Sequence, residues 1–263
     1  MSAELINATV ERGGKQILRN VSVSCPAGAI TAFCGPNGAG KTTTLSLMTG
    51  AIAPNAGEAK LDDLRVRRQR PEALARRRAV VSQYSQLSFP FAVYEVIAMG
   101  RTPHFGRVTP EQDNAAIEAA IDLMALSPLI DRNYLTLSGG EKQRVNIARA
   151  LAQIWREGTQ ADDQSEPRPP WLFLDEPTNA LDLKYQLALM ALLGRLRDDG
   201  WGIIVVLHDL NLVKKYADRT VLFKDGSLSS TGPSHEVLSP QTVMDTFDLD
   251  APYELGLVAS AQP

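Results

Sequence analysis

The feature that most constrains the fold is a glycine-rich segment, Gly35-Pro36-Asn37-Gly38-Ala39-Gly40-Lys41-Thr42, which fits the phosphate-loop pattern G-x-x-x-x-G-K-[ST]. It follows an apolar strand predicted over Ala29–Phe33 and opens a helix predicted from about Lys41. Glycines let backbone N–H groups turn toward phosphate oxygens, and the positive end of the following helix favours anions. Lys41 offers a charge to the β- and γ-phosphates, and the Thr42 hydroxyl can ligate Mg²⁺. The segment therefore predicts a nucleotide-binding α/β core rather than a simple turn.

A second segment, Trp171-Leu172-Phe173-Leu174-Asp175-Glu176, is an apolar strand that ends in two carboxylates. A strand running into an acidic turn is common by itself. Beside a phosphate loop, it would place Asp175 near a metal ion and Glu176 where it could polarise an attacking water. Together the two segments predict a site for hydrolysis of a nucleotide.

A third segment surrounds the start of a predicted helix that includes Val145–Leu151. Ser138 and Glu141 have the spacing of a capping box, which satisfies two backbone donors at the helix start. Gly139 and Gly140 lie between them, although glycines in a first helical turn lower stability and add nothing to capping. They are explained if a phosphate group approaches this helix terminus closely.

With these three segments in this order, the chain resembles the ABC ATPase family over nearly its whole length. The family signature LSGGQ is matched by Leu137–Glu141, with Glu in place of the final Gln. Gln83 matches the Q-loop, and Leu174-Asp175-Glu176 matches the end of the Walker B strand. Asn179-Ala180-Leu181-Asp182 matches the D-loop, and His208, after a strand predicted over Ile203–Leu207, matches the switch histidine.

The resemblance implies a P-loop NTPase (RecA-like) α/β core with a small antiparallel β subdomain and an inserted α-helical subdomain. We expect one ABC ATPase domain over 1–263, with the helical subdomain at about 84–153 and a flexible surface insertion at 157–170. This helical stretch includes a helix predicted to start at the N-cap Thr109, with Pro110 and Gln112 inside it. The final hairpin is predicted around Asp225-Gly226.

The resemblance also implies a set of functional residues. The implied catalytic residues are Lys41, Gln83, Glu176 and His208, and the implied Mg²⁺ ligands are Thr42, Gln83 and Asp175. The implied ATP contacts are Gly35, Pro36, Asn37, Gly38, Ala39, Gly40, Lys41, Thr42, Thr43, Ser138, Gly139, Gly140 and Asp182. One departure concerns the base: the family usually stacks adenine on an aromatic near the chain start, but no aromatic precedes Phe33. Arg12 is a candidate replacement.

The implied mechanism needs a second copy of the chain, because one copy's phosphate loop and the other's signature helix hold the same ATP. The other implied partners are integral-membrane permease subunits and, indirectly, a periplasmic substrate-binding protein. Non-transport members of the family usually carry two cassettes or a long coiled-coil insertion, and this chain has neither. The net charge of −3 gives no indication of nucleic-acid binding.

Within importers, the segments Gln83–Phe91 and Met99–His104 resemble the siderophore, cobalamin and haem uptake group. The segments Ser88–Phe91 and Ala180–Leu183 resemble haemin-import ATP-binding proteins, and the insertion between Gln153 and Trp171 is longer than siderophore-type subunits usually carry. We therefore expect haem import, with an iron–siderophore or cobalamin complex as the alternative. The apolar residues around Phe89 could receive a helix of the membrane partner or belong to the local core.

No apolar run is long enough to cross a bilayer, and Glu4 lies where a signal peptide would need basic and apolar residues. We therefore expect the chain at the cytoplasmic face of a bacterial inner membrane, as a peripheral subunit. Cys25 and Cys34 are predicted to be small core residues without a disulfide. His104 is predicted to be an ordinary structural histidine, not a haem ligand.

Overall fold

The structure is a computed structural model that describes residues 1–83, 87–155, 168–251, 253 and 255–256. The described strands are β1 Ser2–Arg12, β2 Lys15–Pro26, β3 Ala29–Cys34, β4 Ala56–Leu61, β5 Leu64–Arg65, β6 Arg78–Val81, β7 Trp171–Asp175, β8 Gly202–Val206, β9 Arg219–Lys224 and β10 Ser227–Pro233. The described α-helices are α1 Lys41–Thr49, α2 Pro71–Ala75, α3 Val93–Ala98, α4 Pro110–Leu123, α5 Gly139–Ile154, α6 Leu183–Asp198, α7 Leu210–Tyr216, α8 Ser234–Val237 and α9 Pro240–Phe247.

The chain forms two compact units. The first unit contains Met1–Arg68 and Leu193–Pro263, and the second contains Gln69–Leu192. Within the residues that the structure describes, no helix combines the length and apolar character required to cross a membrane.

The first unit contains an antiparallel sheet in the order β2-β1-β4-β5. Strands β1 and β2 form a hairpin, and its turn uses Gly13 and Gly14, which both have positive φ. Alternate residues of β1 are buried, because a strand in such a sheet turns one face toward a core. The pairing of β4 with β1 was not predicted, because Ala56–Leu61 contains glycine and charged residues rather than an apolar run.

The first unit also contains the strand that leads into the phosphate loop. Strand β3 pairs in parallel with β8 on one side and with β9 on the other, and all of its residues are buried. This burial explains the continuous apolar sequence, since a central parallel strand is covered on both faces. The predicted terminal hairpin is confirmed as β9 and β10, with Asp225 and Gly226 at positive φ in its turn.

The second unit joins a short parallel pair of strands to a helical layer. Strands β6 and β7 run in parallel, with Val81 opposite Leu174. The predicted start of α4 is confirmed: Thr109 Oγ1 accepts from the Gln112 amide at 3.3 Å, and the Gln112 side chain accepts from the Thr109 amide at 2.9 Å. Helix α5 packs against α3, α4 and β6. Residues 156–167, which carry most of the predicted insertion, lie outside the described residues.

Both cysteines are buried and free, as predicted. Cys25 and Cys34 lie on β2 and β3 in the first unit. Burial disfavours the thiolate and raises the pKa of both thiols to about 12. Neither is therefore a reactive thiol.

His104 makes a structural contact in the second unit. Its side chain is 9% exposed, and Nε2 lies 2.8 Å from the carbonyl oxygen of Gln153 near the end of α5. Because a carbonyl oxygen only accepts, Nε2 must carry the proton in this contact. Burial lowers the pKa of the ring below its ordinary value of 6.5.

We expect this histidine to make the fold less stable in mild acid. Below a pH of about 6.5, His104 takes up a proton more readily in the unfolded chain than in the folded chain. The contribution of His104 to the free energy of unfolding is therefore fully present above that pH and is lost as the pH falls below it. Urea unfolding of the wild type and of His104→Gln, between pH 5 and 8, measures the effect. The variant retains a donor for Gln153 and should show a smaller loss of stability in acid; equal losses would contradict the prediction.

Candidate functional site

The phosphate loop lies in the first unit, between β3 and α1. Gly35, Gly38 and Gly40 all have positive φ, a conformation that side chains disfavour. Gly40 is the N-cap of α1 and provides no side chain to cap it. The start of α1 therefore has no side-chain cap, an arrangement that suits an anion at this position, as the sequence pattern predicts.

Lys41 is folded back over this loop. Its Nζ donates to the carbonyl oxygens of Gly35 at 2.7 Å and Pro36 at 2.9 Å, and the residue is 6% exposed. The ammonium group is thus held within the loop, at the place where the pattern requires a phosphate ligand. Thr42, the next residue of the helix, is exposed.

The loop is packed tightly against β9. A Cβ atom on Gly35 would lie 2.2 Å from the carbonyl oxygen of Phe223, so only glycine fits there. The ring of Phe223 also packs edge-on against Phe33, with the centroids 5.2 Å apart. Close packing fixes the direction in which the chain leaves β3.

His208 emerges at the same edge of the first unit's parallel strands. Phe33 is paired with Val206, and the Leu207 amide donates to the carbonyl of Phe33 at 3.2 Å. The carboxyl ends of β3 and β8 therefore lie side by side, and each is followed by a candidate functional segment. His208 is exposed. The register of the two strands thus brings together the phosphate loop and the histidine.

In the second unit, Gln83 and Glu176 follow two neighbouring parallel strands, β6 and β7. The Gln83 side-chain amide donates from Nε2 to Oε2 of Glu176 at 2.7 Å. Asp175, the last residue of β7, is 3% exposed. Three side chains predicted for one site are therefore at the same edge of this strand pair.

Glu176 has an unusual backbone conformation. Its φ is 52°, in the left-handed region, and Pro177 follows it. A left-handed conformation is uncommon for a residue with a side chain and often occurs at functional positions. The carboxylate also accepts from Nδ2 of Asn179, on the same Oε2 atom that Gln83 contacts.

The signature segment caps α5 as predicted. The Ser138 hydroxyl accepts from the Glu141 amide at 3.3 Å, and the Glu141 carboxylate accepts from the Ser138 amide at 2.8 Å. The backbone hydrogen bond from Ser138 lowers the pKa of Glu141. Glu141 therefore completes the capping box as an anion. A glutamate at the position where the family signature has glutamine still caps the helix start.

The two glycines of the signature segment differ in their surroundings. A Cβ atom on Gly139 would meet nothing within 4 Å, whereas one on Gly140 would lie 2.9 Å from the carbonyl oxygen of Ala180. Gly140 thus allows the segment Asn179–Asp182 to approach the start of α5. Gly139 has open space beside it, as a helix terminus that receives a ligand requires.

Side-chain amides hold the segment between β7 and α6 in place. Gln143 on α5 donates to the carbonyl of Pro177 at 3.2 Å. Gln186 on α6 donates to the carbonyls of Thr178 at 3.1 Å and Leu181 at 2.9 Å. Asp182 accepts from the Tyr185 amide at 3.0 Å at the beginning of α6. Sequence reasoning assigned no role to Gln143 or Gln186, because only the fold brings their amides to these carbonyls, and it named Asn179 only as part of the D-loop match.

The sequence-predicted residues therefore fall into two groups. The first unit contains the phosphate-loop residues Gly35, Pro36, Asn37, Gly38, Ala39, Gly40, Lys41, Thr42 and Thr43, together with His208. The second contains Gln83, Ser138, Gly139, Gly140, Asp175, Glu176 and Asp182. Within the described ranges, no group of three or more His, Cys, Asp or Glu side chains could hold a metal ion by itself.

Comparison with known proteins identifies the family. The model of the family described as ABC transporter matches residues 18–156. The hemin import ATP-binding protein HmuV of Escherichia coli O157:H7 is 43% identical over 240 residues, which cover 90% of this chain and 88% of that protein. The protein of the same name from Rhizobium leguminosarum is 39% identical, covering 94% of this chain and 90% of its own length. This chain belongs to the ABC transporter family.

A solved structure confirms the expected ABC ATPase fold. The dimeric structure of a bacterial ABC transporter cassette is 27% identical to this chain, with a TM-score of 0.74 over 88% of this chain and 98% of the other. As an ABC ATPase, the chain binds and hydrolyses ATP. ABC ATPase domains form dimers and work with membrane permease components.

Proposed function

We propose that this ABC ATPase hydrolyses ATP to drive the import of haem through a membrane permease. The observation that carries the proposal is the extended identity to the HmuV proteins, which is 43% and 39% over 90% and 94% of this chain. Import of an iron–siderophore or cobalamin complex is the alternative. The proposed location is the inner face of a bacterial membrane, where the permease would hold the chain.

ATP binding is proposed to begin at the phosphate loop. The backbone amides of Gly38 and Gly40 and the start of α1 would surround the phosphates. Lys41 would exchange the carbonyl oxygens of Gly35 and Pro36, which accept from it in this structure, for β- and γ-phosphate oxygens. Because phosphate oxygens carry more negative charge than carbonyls, this exchange favours the nucleotide-bound loop.

Hydrolysis is proposed to use Glu176 as general base and His208 as a contact to the γ-phosphate. Glu176 would orient a water and accept its proton, and His208 would donate a hydrogen bond to the phosphate as charge develops there. Thr42, Asp175 and Gln83 offer the oxygen ligands that Mg²⁺ prefers. When bound, the ion would offset the negative charge of the phosphates.

A second copy of the chain is proposed to complete each site. Ser138, Gly139 and Gly140 would contact the γ-phosphate held by the partner's phosphate loop, and Asp182 would lie at the same interface. The capped and accessible start of α5 supports this assignment. ATP would then bridge two copies, so that binding favours the closed pair and hydrolysis allows it to reopen.

The surface around Phe89 is a candidate contact for the permease. Phe89 is 68% exposed and Tyr94 is 40% exposed, whereas Val93 is fully buried. The predicted apolar cluster is thus divided between the local core and the surface. Large exposed apolar side chains are a feature of protein interaction sites.

Arg12 is the residue proposed to contact the adenine base. It is exposed, and its planar guanidinium group would stack on the base in place of the usual aromatic side chain.

The cargo can be tested by reconstitution with the cognate permease and periplasmic binding protein in lipid vesicles. We expect haem-loaded binding protein to stimulate ATP hydrolysis several-fold, because a loaded partner favours the closed pair. Siderophore-loaded and cobalamin-loaded proteins are the matched comparisons. Stimulation by either of these in place of haem would assign the alternative cargo, and stimulation by none would contradict coupling to import of these compounds.

A further inference from the structure

The carboxylate of Glu176 is engaged by two amide donors at once. Gln83 Nε2 and Asn179 Nδ2 both donate to Oε2. A charge-assisted hydrogen bond is worth more than a neutral one, so each donor stabilises the carboxylate where it now lies. Two donors on one oxygen fix the orientation of the carboxylate, so turning it toward a water molecule in another direction breaks at least one of these bonds.

The two donors differ in how they are attached. Gln83 follows β6 and reaches Glu176 from another strand, and the proposed mechanism gives it a second role at the metal ion. Asn179 is three residues beyond Glu176 in the same turn, and its backbone amide also donates to the Glu176 carbonyl at 3.4 Å. Asn179 therefore stays with Glu176 unless the turn itself changes.

This turn belongs to the segment that the second copy is proposed to contact. Asn179–Asp182 lies against Gly140 at the start of α5, and both Asn179 and Ala180 are exposed. A partner that packs on this surface can shift the turn and separate the Asn179 amide from the carboxylate. The contact thus connects the state of Glu176 to the presence of a partner.

We propose that Asn179 is a positioning residue that retains Glu176 in a resting position until a second copy moves the segment Asn179–Asp182. This proposal rests on the proposed role of Glu176 as general base. Its consequence is that hydrolysis is slow in the unpaired chain and is released by closure of the pair. Asn179 thereby limits the loss of ATP when no transport takes place.

The test compares the ATPase activity of the full chain, without permease, for the wild type and Asn179→Ala. We expect kcat to rise about 10-fold, the factor that corresponds to ~1.4 kcal/mol in the barrier, with the KM for ATP unchanged. With the permease present, we expect the variant to be stimulated by a smaller factor than the wild type. Since Asn179 is exposed, the substitution should leave the melting temperature nearly unchanged.

Gln186→Ala is the matched control. Gln186 holds the same segment through the carbonyls of Thr178 and Leu181 but does not donate to Glu176, so its loss should not raise kcat. An unchanged or lower kcat in Asn179→Ala, or an equal increase in Gln186→Ala, would overturn the proposal. A separate Glu176→Gln variant reports on the base itself. If that variant still hydrolyses ATP, the proposed function of Glu176 fails rather than the role of Asn179.

Discussion

Glu176→Gln is expected to stop ATP turnover while ATP remains bound between two copies of the chain. The substitution preserves size but removes the group proposed to accept a proton, and general-base catalysis typically contributes about 10²–10⁴-fold. The phosphate loop and the signature segment are untouched, so the ATP-bound pair should form and persist. Phosphate release measures the first effect, and size-exclusion chromatography with ATP measures the second.

Glu118→Gln on α4 is a suitable control for this experiment. Glu118 is exposed, and it lies outside all of the proposed functional segments. We expect this control to hydrolyse ATP at the wild-type rate and to form no persistent dimer. Undiminished hydrolysis by Glu176→Gln would remove Glu176 as the general base.

Gly140→Ala is expected to be much more damaging than Gly139→Ala, although the two glycines are neighbours. The new methyl group at position 140 would lie 2.9 Å from the Ala180 carbonyl oxygen. To relieve this contact, the backbone of α5 or of the segment Asn179–Asp182 would have to move. Overpacking of this kind costs about 1–3 kcal/mol. At 139 the methyl group meets nothing within 4 Å, and alanine favours the helix. Urea unfolding of the two variants measures the difference.

The same Gly140 variant should also hydrolyse ATP poorly while a single copy still binds ATP. The phosphate loop lies in the other compact unit, whereas the displaced residues belong to the segment proposed to serve the partner's ATP. ATP binding at low protein concentration and phosphate release at high concentration separate these effects. Wild-type hydrolysis by Gly140→Ala would contradict the shared site, and equal destabilisation by both glycine variants would contradict the packing argument.

Several elements could be predicted from local sequence because local forces produce them. The caps at Thr109 and Ser138 need only a hydroxyl and a carboxamide or carboxylate three residues apart. The hairpin turns at Gly13-Gly14 and Asp225-Gly226 need residues that tolerate positive φ. Strand β3 is recognisable because a buried parallel strand requires an uninterrupted apolar run.

Other elements depend on partners that are distant in the chain and could not be predicted. Strand β4 is stabilised by pairing with β1, some fifty residues earlier, and its own residues carry little strand signal. The terminal helices α8 and α9 are short, and short helices owe most of their stability to tertiary packing. The spacing of residues alone does not reveal such contacts.

For the candidate site, the sequence was sufficient to name a phosphate loop, two carboxylates after a strand and a glycine-containing helix start. Those features follow from residue types at fixed spacing, because backbone geometry and charge are set locally. Only the tertiary structure placed His208 beside the phosphate loop and Gln83 against Glu176, since strand register decides which chain segments meet. It alone distinguished Gly140 from Gly139, because close approach between segments is a property of packing.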